Sequence, residues 1–310
     1  MKIDLRSDWV ELLKERLDAL GFDTSKFDND QDLKFAFFGL VNRLVPTESR
    51  DVHVSNEFEV PEEHHPGVNA LEEKFENGRP VWPHQSKGLS STDRQDHMLS
   101  DWGIQHFHLG TEAEDDSPYM QRTGPLLFAM VEGEDAYFID VEEHGAWAKE
   151  ELLRIVKNNW PQLLEDYRLD TFDTLACSID DLDKTQRQQM RRNGINVFLE
   201  IDSEHYAPPG GGLTSAGTSM DVVVQSDRFV KCLDHLESYV RSNAMPLVRS
   251  ALDTSTYITS PFCFSLTVHD GDIGVLEEQN DIFFRYRQLS PLFRELLEPE
   301  NSEYQGITDA

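Results

Sequence analysis

Hydrophobic periodicity that switches from helical to alternating and back predicts an α+β protein. The expected parts are a helical hairpin with a small antiparallel sheet, followed by a second domain of α/β type. Three observations carry this expectation. Apolar residues recur at helical spacing through the first fifty positions, alternation and a tight turn mark 102–141, and a glycine-rich loop separates a strand pattern from a helix pattern over 195–236. At 310 residues the chain has about twice the usual length of one domain. Two domains are therefore expected, at 1–165 and 170–297, with 298–310 as a flexible tail.

Trp9, Leu12, Leu13, Leu17 and Leu20 share one helical face, with Ser7 placed as its cap and Gly21 as its stop. Leu33, Phe37, Leu40, Val41 and Leu44 form a second face that Pro46 ends. Val52 to Val60 is extended, and Val68, Leu71 and Phe75 mark a third helix closed by Gly78. The polar stretch 79–96 has no periodicity and reads as a long loop of the kind that covers a site or hinges. A strand follows from Trp102, and Leu126 to Glu132 pairs with Ala136 to Val141 across Gly133, Glu134 and Asp135 as a hairpin. Helical spacing returns over 146–158. After a polar connector at 167–174 come a helix over 180–192, a strand over 195–201, the glycine loop, and a helix through Val222, Val223, Phe229, Val230, Leu233 and Leu236. Phe262 to Val268 and Ile282 to Tyr286 read as strands, and Pro291 to Leu297 as a last short helix.

The charge is extreme: 58 acidic residues against 28 Lys and Arg leave a formal net charge of −30. Such a field repels nucleic-acid backbones, so RNA binding requires a locally basic groove or a basic protein partner. Cys177, Cys232 and Cys263 stand far apart without a CxxC pair, which predicts reduced thiols. No run of apolar residues reaches the length of a bilayer span, so no membrane association is expected and the cytoplasm is the expected compartment.

His106 and His108 alternate with Gln105 and Phe107, so on a strand both imidazoles project from one face. Imidazole titrates near neutrality, which suits one as base and the other as acid. Arg122, just before the next strand, supplies a bidentate cation for phosphate, and His144 follows the hairpin. Two other readings remain open for the same residues. They are ordinary sheet histidines, or they join Glu112 and Asp140 as metal ligands in an HxHxxxE order. The expected site carries no metal and no cofactor.

The order of helices, the His106–His108 strand, Arg122 and the 126–141 hairpin resembles the RelE/ParE-like toxin fold of small bacterial ribonucleases, over roughly residues 67–160. The resemblance implies RNA as substrate, cleavage without a metal, a toxin or defence role, and catalytic parts for His106, His108, Arg122 and His144.

A second candidate is the glycine loop, where Gly210, Gly211 and Gly212 bring backbone N–H groups close together and Thr218 and Ser219 open a helix. That pattern suits a phosphate cradle or a plain structural turn. The alternative to catalysis is an acidic binding protein that recognises a basic partner or a nucleotide through this loop.

Overall fold

The computed structural model describes residues 1–92, 94–143, 150–169, 198–253, 255–298, 303–304, 306–309. The expected helix over 180–192, Cys177 and His144 lie outside them. In chain order the described elements are α1 (Leu5–Ala19), α2 (Asp30–Arg43), β1 (Asp51–Val54), α3 (His65–Glu76), α4 (His97–Trp102), β2 (Ile104–His108), β3 (Pro125–Glu132) and β4 (Asp135–Glu143). They continue as α5 (Glu151–Asn159), α6 (Gln162–Glu165), β5 (Leu199–Ile201), β6 (Glu204–Tyr206), α7 (Met220–Ala251), β7 (Phe264–His269), β8 (Asp272–Glu277), β9 (Ile282–Gln288) and α8 (Pro291–Leu297). The protein is α+β. Among the described residues, no helix is long and apolar enough to cross a membrane.

Two compact units divide the chain, and they do not follow the linear boundary near 165–170. One comprises Met1–Val41 with Val224–Thr308, the other Asn42–Val223 with Asp309–Ala310. The reason is that the apolar faces of the first two helices find their partners far along the sequence. Trp9 on α1 packs on Phe229 of α7 at 4.3 Å between ring centroids and edge-on to Phe37 of α2 at 5.8 Å. Phe293 of α8 completes this aromatic cluster against Phe37 and Phe38.

In that first unit α1 is capped by Asp4, whose side chain accepts from the Ser7 amide, so the cap stands three residues ahead of the expected Ser7. Gly21, at φ 92°, ends the helix as expected. The sheet is an antiparallel meander, β7-β8-β9. Strand β8 escapes the sequence pattern because Gly274 interrupts it; Gly274 leaves room for the Phe283 ring, which lies 2.5 Å from where a Cβ would stand. The terminal segment is no solvated tail at two of its positions, since Tyr304 and Ile307 are fully buried and Thr308 Oγ1 donates to the Leu20 carbonyl.

The second unit is built on a four-stranded sheet of order β1-β4-β3-β2. β3 and β4 form the expected hairpin, turning at Gly133 and Glu134; β1 runs parallel to β4, and β2 pairs antiparallel with β3 at the edge. Alternation sends Leu127, Ala129 and Phe138 to one face, where Val68, Leu71 and Phe75 of α3 cover them. Leu126, Phe128 and Ile139 go to the other face, under Leu152, Leu153 and Val156 of α5 and Leu199 and Tyr206 of the β5–β6 hairpin. That hairpin turns through Asp202 and Ser203, both at positive φ, where the sequence suggested a single strand.

Burial of the terminal segment generates a test. Ile307→Ala is expected to cost roughly 2–5 kcal/mol, as for other fully buried aliphatic truncations, and chemical denaturation of the full chain measures it. A change below about 0.5 kcal/mol would return the segment to a solvated tail.

Candidate functional site

The site grows from the edge strand β2. Asp96 caps α4 by accepting from the amides of Met98 and Leu99, each at 3.0 Å, and Gly103 at φ 70° closes the helix and turns the chain directly into β2. The other carboxylate oxygen of Asp96 stands 3.6 Å from His106 Nδ1. One side chain therefore starts the helix and faces the first histidine of the strand that follows it.

The segment 79–96, expected as loop without periodicity, contains two 3-10 turns, Trp82–His84 and Lys87–Ser90. It is fastened along the edge of β2. His84 Nδ1 donates to the His108 carbonyl at 2.9 Å, and Gln85 Nε2 donates to the Arg43 carbonyl at 2.8 Å and to Gln105 Oε1 at 2.7 Å. Arg43 returns from the end of α2 and donates Nη1 to the carbonyls of Gly88 at 2.7 Å and Ser91 at 3.1 Å. Burial lowers the Arg43 pKa to about 10, partly offset by the Asp96 charge, so it stays cationic at neutral pH.

Between this segment and the strand lies a cavity of about 620 Å³. His106 and His108 line it from one face of the sheet, and Gln105, from the alternate face, lines it round the open edge. Arg122 reaches it from the far side of a turn closed by the Glu112 and Gln121 pairing, where Gly110 allows Gln121 to approach: a Cβ there would stand 2.3 Å from the Gln121 carbonyl oxygen. Among the described residues the lining carries three guanidinium groups, Arg43, Arg94 and Arg122, and three imidazoles, His97, His106 and His108, against one carboxylate, Asp96. In a chain of net charge −30, this is a concentrated reversal of sign.

Three of the residues singled out from sequence thus meet in one cavity: His106, His108 and Arg122. Arg43, Gln85, Arg94 and Asp96 were not legible as site residues. Asp96 had a local signature, a capping residue just ahead of a helix, but nothing in the sequence relates it to His106. Neither Glu112 nor Asp140 lines the cavity, and Asp140 instead accepts from the amides of Glu59 and Val141. Among the described residues no three His, Cys, Asp or Glu side chains gather in a way that could hold a metal ion.

The glycine loop, for which a phosphate cradle and a structural turn were both expected, packs against α4. Gly210 N–H donates to the Asp101 carbonyl, Gly212 N–H to Ser100 at 2.8 Å and Gly211 N–H to Pro208, so the amides expected to meet phosphate are engaged inside the protein. Gly210 presses its backbone on α4: a Cβ there would stand 2.0 Å from the Leu99 carbonyl oxygen. The Asp221 carboxylate lies over Gly211, and Ser219 is buried. None of Gly210, Gly211, Gly212, Thr218 or Ser219 lines the cavity. The loop holds the end of α4, and hence the start of β2, in place. No protein-family model, curated protein or solved structure matches the chain.

Two tests follow from this geometry. Gly210→Ala forces a methyl group into backbone that cannot yield, so a loss of about 3 kcal/mol or more is expected; an unchanged melting temperature would contradict the brace. His84 is fully buried, and desolvation lowers its pKa from 6.5 to about 4. The folded state holds it neutral while the unfolded chain takes up a proton below pH 6.5, so stability falls between pH 6.5 and pH 4 by up to roughly 3 kcal/mol. His84→Asn keeps a donor for the His108 carbonyl and is expected to flatten the pH dependence by nearly one proton. Equal slopes for the two proteins would refute the buried neutral imidazole.

Proposed function

We propose that this cavity binds a ribonucleotide phosphodiester and cleaves it by acid–base chemistry without a metal. The observation that carries the reading is the convergence of three arginines and two same-face strand histidines on one cavity of an otherwise acidic protein. Arg43, Arg94 and Arg122 neutralise the phosphate and the further charge of a phosphorane, for which guanidinium geometry is well suited. His106, with the Asp96 carboxylate beside Nδ1 to favour its protonated form, takes the proton from the ribose 2′-hydroxyl. The 2′-oxygen bonds to phosphorus, the bond from phosphorus to the 5′-oxygen breaks, and His108 gives its proton to the leaving oxygen. Products are a 2′,3′-cyclic phosphate and a 5′-hydroxyl; water opens the ring with the two histidines in exchanged roles, which restores both.

The resemblance to RelE/ParE-like ribonucleases points to the same reaction class. Free Cys232 and Cys263 suit the reducing cytoplasm.

His106→Ala and His108→Ala are each expected to lower the cleavage rate by about two to four orders of magnitude, with the fold retained. Asp96→Asn is more diagnostic, because asparagine caps a helix as well as aspartate while removing the charge beside His106. The rate should follow a bell-shaped pH profile whose acidic limb moves to lower pH in Asp96→Asn. Full activity in both alanine variants would remove this reading; an unmoved acidic limb would remove His106 as the base.

A further inference from the structure

We infer that the cavity takes phosphodiesters of one or two nucleotides and discriminates against long RNA, a substrate class that rests on the phosphodiester reading above. The first ground is size. A volume of about 620 Å³ falls in the roughly 300–1,000 Å³ range of small-molecule sites, whereas polynucleotide sites present a basic stripe or groove that tracks several phosphates.

The second ground is where the positive charge is free to act. Outside the cavity lining, the described cations of this unit are neutralised locally: Arg50 pairs with Glu48, Arg79 with Glu73, Lys87 with Glu114, Arg154 with Glu151, Lys157 with Glu204 and Arg168 with Glu165. Lys74 is the exception, and it is half-buried, with burial lowering its pKa. Within the lining, by contrast, Arg94 and Arg122 make no ion pair among the described residues. Among the described residues of this unit, attraction for phosphate is therefore concentrated in the cavity.

The third ground is the net charge of −30. Each nucleotide added beyond the cavity brings one more phosphate toward an acidic surface, within a screening length of about 10 Å at 0.1 M salt. A dinucleotide places its single phosphate among the arginines and little else in the repelling field. A long strand gains no further unpaired guanidinium among the described residues of this unit and meets more repulsion with every linkage.

Binding of 2′-deoxy substrates, which lack the attacking hydroxyl, separates size selection from chemistry. The full chain is titrated with a deoxydinucleoside monophosphate and with a single-stranded deoxyoligomer of about twenty nucleotides, at low and at moderate sodium chloride, and cleavage of the ribose counterparts is followed in parallel. The dinucleotide is expected to bind at least about tenfold more tightly at low salt, although the oligomer offers many more linkages. Added salt should weaken the dinucleotide and strengthen the oligomer, so that the gap narrows. Arg94→Ala with Arg122→Ala should weaken the dinucleotide about a hundredfold, since each charge-assisted contact contributes roughly tenfold or more. Tighter binding of the oligomer at low salt, or no binding of either, overturns the inference. Preferred binding of the dinucleotide with no cleavage of its ribose counterpart upholds the size selection and removes the catalytic reading instead.

Discussion

The geometry of the site depends on one carboxylate. Asp96 ends the covering segment, starts α4 through one oxygen and faces His106 through the other. Because only Gly103 separates α4 from β2, any movement of the helix start is transmitted to the strand register. The bonds from His84 and Gln85 fix the same segment to the strand edge, and the glycine loop holds the opposite end of α4. Helix cap, edge pairing and loop packing converge on the position of two imidazoles.

Electrostatics separates this cavity from its surroundings. Among the described residues of the unit, most cations outside the cavity neutralise neighbouring acids on the surface, where each such pair contributes little to stability. Arg43 is different: it is buried and held by backbone carbonyls, an arrangement that orients its charge. His84, fully buried, is kept neutral and works as a hydrogen-bond donor to the strand that carries the other two histidines. Similar side chains thus divide into structural and chemical roles according to burial and partners.

Local patterns were readable wherever a segment's periodicity survived its environment. The helices at the amino end, the hairpin of β3 and β4, and the final short helix stand where the apolar spacing placed them. Strand β8 and the β5–β6 hairpin did not register, because short strands interrupted or turned by glycine, aspartate and serine carry too few alternating residues to form a pattern. The unit boundary also failed to register, since Trp9 and Phe229 lie far apart in sequence and nothing local marks them as partners.

By itself the sequence determined the acidic character, the α+β class and the placing of His106 and His108 on one strand face, because composition and side-chain alternation are properties of the chain and of the backbone alone. Tertiary structure decided that Arg43, Arg94 and Arg122 share a cavity with them, that Asp96 faces His106, and that the glycine loop braces a helix. Those relations join different elements of the fold. They arise only when the sheet edge, the covering segment and the loop pack together, for a charge or an amide acquires its chemical role from what surrounds it in space.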